Sequence, residues 1–180
     1  MHERERLERF ETAVLPHLDA AYSLARWLTR SDDDAQDVVQ ESVLRAFRFF
    51  DDLRGNDCRP WLLTIVRNTC YSWLRRNRSH ERLVAADDAV YDVVDEAPSP
   101  EARLLREADA TRLRQSIELL RAEYREVLIL REYEGLSYKE IAEVTGISLG
   151  TVMSRLSRAR QRLYETLVRK AGKEVHGELP

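Results

Sequence analysis

The sequence is poor in the features that mark membrane-bound, secreted or metal-binding proteins. It contains no run of about 18 apolar residues, which a membrane-spanning helix needs. Its first ten residues, MHERERLERF, lack the apolar core of a signal peptide. Its only cysteines, Cys58 and Cys70, form no CxxC or Cys/His cluster, and its four histidines are scattered. We therefore expect a cytoplasmic chain that needs no membrane insertion, structural disulfide, metal or other cofactor.

Lysine is also scarce, because only three of the 29 basic residues are lysine. The planar guanidinium of arginine suits forked contacts to phosphate and guanine, so this bias gives weak support for a nucleic-acid partner. The net charge of -3 hides a strong segregation. Residues 153–173 contain seven basic residues and one acid, whereas residues 83–102 contain six acids and no lysine or arginine. The first segment therefore has a positive electrostatic potential and the second a negative one.

Residues 136–163, LSYKEIAEVTGISLGTVMSRLSRARQRL, predict a helix-turn-helix with a basic extension. Ser137 and Glu140 have the spacing of a capping box, Gly146 suits the turn, and Ser148 can cap the second helix. That helix is apolar on one side, and its polar side includes Met153, Ser154, Arg155, Ser157, Arg158 and Arg160. Such a helix fits the major groove of DNA. The alternative is an amphipathic surface helix with solvated arginines.

A second surface is predicted on a helix over residues 34–50, which follows a strong start signal at Ser31. One side of this helix can face a core. Another side presents a leucine among acidic, amide and basic residues, namely Asp37, Gln40, Glu41, Leu44 and Arg48. An exposed leucine in this setting favours a protein-docking surface, and a solvated helix face is the alternative.

A third surface is predicted on a helix over residues 60–77, which follows a polar loop and begins at a proline. Its polar face interleaves cations with an amide and an aromatic ring: Thr64, Arg67, Asn68, Tyr71 and Arg75. Arginine can bind phosphate, tyrosine can stack on a base, and asparagine can read a base edge, so this face suits single-stranded nucleic acid. A basic surface helix with a half-buried tyrosine would give the same pattern.

The whole chain predicts an all-α fold of two small helical domains, 1–82 and 100–175, joined by a flexible acidic linker over residues 83–99. Further helices are expected over 4–19, with a bend near Pro16, and over 20–29, 100–119 and 122–133. The small core under the helix-turn-helix is predicted to contain Leu113, Ile117, Leu120, Val127, Leu128, Leu130 and Tyr133. The tail after Ala171 is expected to fray. The sequence shows neither internal repeats nor strand alternation.

Three segments together resemble an extracytoplasmic-function (ECF, group IV) sigma factor, a short member of the sigma-70 family. DAQDVVQESVLRAF resembles the family's core-polymerase-binding segment, WLLTIVRNTCYSWLRR its −10 recognition helix, and the helix-turn-helix its −35 recognition unit. All three occur in the expected order and spacing across nearly the whole chain. The resemblance implies sigma region 2 in the first domain and sigma region 4 in the second.

The resemblance also implies roles for individual residues. Contacts to the clamp helices of the largest polymerase subunit fall to Asp37, Gln40, Glu41, Leu44 and Arg48. Contacts to the melted −10 strand fall to Arg59, Thr64, Arg67, Asn68, Tyr71 and Arg75, with residues 55–59 lining a pocket for a flipped base. On the −35 duplex, the resemblance implies that base edges are contacted by Met153, Ser154, Ser157 and Arg158. It implies that phosphates are contacted by Arg155 and Arg160. Met153 departs from the Lys or Arg that family members often carry.

The partners implied by the resemblance are core RNA polymerase, through its clamp helices and flap region, promoter DNA and an anti-sigma factor. The chain would be a monomer when free, would serve a stress or envelope-type regulon, and would catalyse no reaction. Its acidic linker would thread the cationic channels of the polymerase. The alternative function is a free-standing helix-turn-helix regulator of duplex operators, which needs neither the docking face nor the single-strand face. A nucleic-acid enzyme is disfavoured because the acids and histidines lack metal-site spacing.

Overall fold

The computed structural model describes residues 2–53, 57–77 and 100–176, so the predicted linker 83–99 lies outside the described residues. Every regular element in the described ranges is helical, which confirms the all-α prediction. The helices are α1 (His2–Val14), α2 (Leu18–Thr29), α3 (Asp32–Arg48), α4 (Cys58–Asn77), α5 (Pro100–Glu118), α6 (Ala122–Glu132), α7 (Tyr138–Thr145) and α8 (Leu149–His176). Short 3-10 turns occupy Leu15–His17 and Phe50–Asp52. In these ranges, none of the helices has both the length and the apolar character to cross a bilayer.

Local chemistry sets the helix ends in the first domain. The predicted bend near Pro16 is confirmed, because this proline lies in the 3-10 turn that separates α1 from α2. The Ser31 side chain caps α3 by accepting a hydrogen bond from the backbone N–H of Asp34 at 3.3 Å. Three aspartates in the first turn are favoured by the positive end of the helix dipole. The helix therefore begins at residue 32, two residues before the predicted start.

Apolar side chains from α2, α3 and α4 form the core of the first domain. Fully buried members include Leu24, Leu28, Val38, Leu62, Leu63 and Val66. Phe10 of α1 closes one side, with edge-to-face contacts to Phe47 at 5.1 Å and Phe50 at 5.3 Å between ring centroids. Burial of each such side chain contributes about 1.5–3 kcal/mol, so this core fixes the outward faces of α3 and α4.

The second domain packs α6, α7 and α8 together. Of its predicted core residues, Ile117, Leu120, Val127, Leu128 and Leu130 are buried, as expected. The prediction was wrong for Leu113, which lies 38% exposed on the solvent side of α5, and for Tyr133, which is 53% exposed at the end of α6. Helix α8 continues to His176, and residues 177–180 of the tail that was predicted to fray lie outside the described residues.

The two domains pack against each other in this structure. Helix α2 contacts α6, and α4 contacts α7. The exposed Tyr133 takes part in this packing, since its ring lies against the indole of Trp27 with 5.5 Å between centroids. Tyr133 therefore lies outside the core of its own domain because its ring contacts the other domain.

Candidate nucleic-acid and polymerase interfaces

The outer face of α3 forms the exposed stripe that the sequence predicts. Leu44 is 59% exposed at its centre. Asp37, Gln40 and Arg48 are also exposed, whereas Glu41 is partly covered by ion pairs to Arg45 and Arg76. Sequence reasoning missed Phe49, which caps the C-terminal end of α3 and stays exposed while its neighbour Phe50 enters the core. Two consecutive phenylalanines at a helix end could have indicated this, because neighbouring residues of a helix point in different directions and only one of them can enter the core.

The polar face of α4 is present, but its members differ in accessibility. Asn68 and Arg75 are exposed, and Arg75 donates a hydrogen bond to the Ser72 hydroxyl at 3.3 Å. Thr64 is half-buried, and its hydroxyl donates to the carbonyl oxygen of Pro60 at 2.8 Å. The amide and one cation of the predicted surface are therefore open to solvent, while the threonine hydroxyl bonds its own helix.

Arg67 and Tyr71, the central pair of the α4 face, contact the second domain instead of solvent. The guanidinium of Arg67 donates through Nε to Glu126 Oε2 at 2.9 Å and through Nη2 to Glu126 Oε1 at 3.4 Å. It also lies 4.7 Å from the centre of the Tyr71 ring. Burial, and then the adjacent Glu126 carboxylate, raise the pKa of the Tyr71 phenol above its usual range.

Arg59, at the start of α4, also reaches the second domain. Its Nη2 donates to Glu134 Oε2 at 2.8 Å, and its backbone N–H donates to the carboxylate of Asp57 at 3.1 Å. The predicted pocket for a flipped base involves residues 55–59, of which Gly55 and Asn56 lie outside the described residues. Arg59 is thus placed on the same interdomain surface as Arg67.

The helix-turn-helix has the local geometry that its sequence predicts. Ser137 and Glu140 form a complete capping box at the start of α7. Gly146 ends that helix in the left-handed conformation, with a φ of +69°, which an L-residue adopts only at a cost. The Ser148 hydroxyl then accepts the backbone N–H of Thr151 at 3.2 Å and starts α8.

Helix α8 presents a polar outer face above a buried stripe. Val152, Leu156 and Ala159 are buried, as the sequence predicts. Of the predicted −35 residues, Met153, Ser154, Ser157, Arg158 and Arg160 are exposed on the outer face, and Arg155 is half-buried. An N-terminal helix segment with this composition can enter a major groove and meet base edges.

The three predicted arginines of α8 differ in their ion pairs. Arg155 donates through Nη1 to Glu126 Oε1 at 3.4 Å, and Arg160 donates through Nη2 to Glu132 Oε1 at 2.6 Å. The hydrogen bond to Glu132 is the main reason why the pKa of Arg160 is raised above its usual range. Within the described ranges, Arg158 is the member of this trio that forms no ion pair.

The fold and these surfaces define a two-domain helical protein of the helix-turn-helix DNA-binding class. Residues 13–80 match the family model described as Sigma-70 region 2, and residues 110–163 match the model described as Sigma-70, region 4. The chain belongs to the sigma-70 family, as an ECF RNA polymerase sigma factor.

Individual relatives support this family membership. The chain is 35% identical over 175 residues to the RNA polymerase sigma-H factor of Pseudomonas aeruginosa, covering 91% of each protein. It is 33% identical over 160 residues to the ECF RNA polymerase sigma factor SigE of Mycolicibacterium smegmatis. That alignment covers 89% of this chain and 62% of SigE.

Two solved structures have the same fold. The sigma factor RpoE from Bartonella quintana, in complex with the anti-sigma factor NepR, has a TM-score of 0.73 and 30% identity. That match covers 89% of this chain and 97% of RpoE. CnrH, in complex with the cytosolic domain of CnrY, has a TM-score of 0.63 and 26% identity, with 91% and 90% coverage.

Proposed function

We propose that this chain is a promoter-specificity subunit of bacterial RNA polymerase. It binds core enzyme through α3, single-stranded non-template DNA of the −10 element through α4, and the −35 duplex through α8. Its role is to bind and position DNA on the polymerase, which performs the chemistry. The partners are cytoplasmic, so the chain acts in the cytoplasm.

The observation that carries this proposal is the outer stripe of α3. This helix buries Ala35, Val38 and Ala46 on one side, yet it keeps Leu44 59% exposed on the other, beside Gln40. Protein interfaces combine such an apolar centre with a polar rim. A duplex-binding regulator has no need for this stripe, whereas a subunit that docks on polymerase does.

The two DNA surfaces divide the promoter between them. The exposed residues of α8 approach base edges of the −35 duplex, with Arg158 as the cation that is already available. On α4, Arg67 and Arg59 bind phosphates, Tyr71 stacks on a base, and Asn68 meets a base edge. Met153 supplies an apolar contact where a lysine or arginine would favour guanine or phosphate. This chain therefore prefers a different base at that position from family members that carry the cation.

A protein inhibitor is the second proposed partner. RpoE is solved with the anti-sigma factor NepR, and the likeness to RpoE spans 89% of this chain. We expect an anti-sigma factor to hold this chain inactive until a stress or envelope-type signal releases it. The second domain docks on the flap region of the polymerase. The free chain is a monomer.

The test is co-elution of the intact chain with purified bacterial core RNA polymerase on size-exclusion chromatography. The variant Gln40→Ala, Leu44→Ala removes two exposed side chains of the α3 stripe and leaves the ion pairs of Glu41 intact. The control Leu15→Ala removes an exposed leucine outside that stripe. We expect the wild type and the control to co-elute and the double variant to elute separately. Folded wild-type chain that fails to co-elute at micromolar concentration contradicts the proposal.

A further inference from the structure

Two large apolar side chains are exposed at the start of α8. Leu149, the first residue of this helix, is 50% exposed, and Met153, one turn later, is 53% exposed. Residues four apart lie on the same face of a helix, with about 6 Å between their Cβ atoms. The pair therefore forms an apolar edge at the beginning of α8, beside the buried stripe that contains Val152 and Leu156.

The hydroxyl groups around this apolar edge are already bonded within the same segment. Ser148 Oγ and Thr151 Oγ1 share a hydrogen bond at 2.8 Å, and Ser148 Oγ also accepts the backbone N–H of Thr151 at 3.2 Å. The Ser154 hydroxyl donates to the carbonyl oxygen of Thr151 at 3.1 Å. The first turns of α8 therefore present apolar side chains to a partner, while their hydroxyls are engaged in local hydrogen bonds.

The backbone beside this edge is open to close approach. Gly150 is exposed in the first turn of α8, and a Cβ placed on it would meet nothing within 4 Å. Because glycine has no side chain, a partner can come near the backbone at this point. The apolar edge of Leu149 and Met153 is therefore accessible from the outer side of the helix.

The position of this edge in the helix-turn-helix indicates what it contacts. The N-terminal residues of the second helix of such a motif meet base edges in the major groove. The C5-methyl group of thymine is the apolar group of that groove, and the other base edges there present hydrogen-bond donors and acceptors. An apolar side chain over a donor or acceptor desolvates it without replacing its hydrogen bond, which is unfavourable. Thymine is therefore the base whose edge matches this surface.

We infer that Leu149 and Met153 recognise thymine in the −35 duplex through its C5-methyl group. This inference rests on the proposed function of α8 and names a base that this helix selects. The separation of about 6 Å between the two Cβ atoms corresponds to roughly two base-pair steps of about 3.4 Å, so the pair can cover methyl groups on neighbouring base pairs. Arg158, further along the outer face, remains the cation for guanine or phosphate.

The experiment uses holoenzyme reconstituted from the full chain and core polymerase. A duplex is first selected by this holoenzyme from a library randomised over the −35 region. Each thymine of the selected element is then replaced in turn by deoxyuridine, which removes the methyl group and keeps every hydrogen-bonding group. Binding is measured by fluorescence anisotropy at low salt, where phosphate contacts are strongest and weakened complexes stay measurable.

The test variant is Leu149→Ala, Met153→Ala, which removes the apolar edge. Both side chains are exposed, so the substitutions should leave folding nearly unchanged, which circular dichroism checks. The control variant is Val168→Ala, which removes apolar surface from a position of α8 that is 51% exposed and lies 15 residues after Met153.

We expect at least one deoxyuridine replacement to weaken binding of the wild-type holoenzyme by about fourfold, the value that burial of one methyl group gives. Holoenzyme with the control variant should show the same loss. Holoenzyme with the test variant should bind the thymine and deoxyuridine duplexes equally, because the side chains that contact the methyl group are gone. Should the double variant bind too weakly to measure, Leu149→Ala and Met153→Ala are compared singly in the same way.

A selected −35 element without thymine would overturn the inference. A deoxyuridine effect of equal size in the wild type and the test variant would do the same, and so would loss of polymerase co-elution by the test variant without any methyl effect, since the edge would then bind protein. Failure of the proposed function gives a different result, because the wild-type chain would then not co-elute with polymerase or would select no −35 element. A holoenzyme that selects such an element but is indifferent to the methyl groups keeps the function and loses thymine recognition.

Discussion

Ser137 and Glu140 cap each other's backbone at the start of α7. The backbone N–H of Glu140 donates to Ser137 Oγ at 3.2 Å, and the backbone N–H of Ser137 donates to Glu140 Oε2 at 2.7 Å. Both N–H groups would otherwise lack a helical partner. The first helix of the DNA-binding motif therefore has a defined start, which fixes how Gly146 and α8 follow.

Replacement of the capping hydroxyl should destabilise the second domain. We expect Ser137→Ala to lower the free energy of unfolding by about 1 kcal/mol, because the backbone N–H of Glu140 loses its acceptor in the capping box. Urea denaturation followed by circular dichroism measures the change. Ser157→Ala, at an exposed position of α8, is the control and should leave stability nearly unchanged. An equal loss in both variants would contradict the capping role.

The same capping box should give a pH-dependent contribution to stability. The hydrogen bonds to the Ser137 side chain and backbone lower the pKa of Glu140 below its usual range. A carboxyl group with a lowered pKa in the folded state stabilises the protein above its unfolded pKa of about 4.3. It loses this contribution as the pH falls through the folded pKa. Melting temperatures of wild type and Glu140→Gln should therefore differ at neutral pH and converge in acid. A constant difference across that range would exclude an ionic contribution.

Two glycines near the turn should respond to alanine in opposite ways. Gly146 has a φ of +69°, and Gly150 lies in the first turn of α8; an added Cβ meets nothing within 4 Å at either position. We expect Gly146→Ala to cost about 1–2 kcal/mol through backbone strain alone. Gly150→Ala should stabilise the chain by up to about 1 kcal/mol through higher helix propensity. Denaturation curves of the two variants compare them directly, and stabilisation by both would refute the strain at residue 146.

The two cysteines should be unreactive in the folded protein. Both are buried, and burial raises the pKa of Cys58 and raises the pKa of Cys70 to about 12. Because the thiolate is the reactive form, Cys70 stays protonated and slow even at mildly alkaline pH. We expect a thiol-exchange reagent to modify Cys70 only in denaturant. Rapid modification of native protein, mapped to Cys70 by mass spectrometry, would show that this region opens frequently.

Arg158 should matter more than Arg160 for binding of the −35 duplex. Arg158 is exposed, whereas Arg160 already donates to Glu132 at 2.6 Å, so a phosphate must displace that carboxylate. We expect Arg158→Ala to weaken duplex binding by about 1–3 kcal/mol and Arg160→Ala to weaken it less. The assay uses holoenzyme and a promoter duplex selected by that holoenzyme from a randomised library. A larger loss for Arg160→Ala would reverse the assigned order.

Features that depend on neighbours in sequence were predictable. The capping box, the glycine turn and the proline break are short-range, so the residues that form them determine them without the rest of the fold. The exposed Leu44 was also predictable, because it lies among polar residues on a different side of α3 from the apolar stripe.

Features that depend on packing between domains were not predictable. Tyr133 has the spacing of a core residue, but its ring meets Trp27, more than 100 residues earlier in the chain. The pairing of Arg67 with Glu126 likewise joins residues 59 positions apart, and helical periodicity carries no information about such pairs. The sequence could nominate Arg67 for a cationic surface, but only the tertiary structure supplies its carboxylate partner.

The ion pairs between the two domains have a consequence for kinetics and concentration. Arg67 and Glu126 belong to one chain, so their encounter is intramolecular, and its effective concentration is on the order of millimolar, as for linked modules in general. Dilution of the protein cannot lower this value. A DNA strand that binds Arg67 must therefore compete with the Glu126 carboxylate, whose effective concentration is fixed. The strand competes best when polymerase holds it near Arg67 at a similar local concentration.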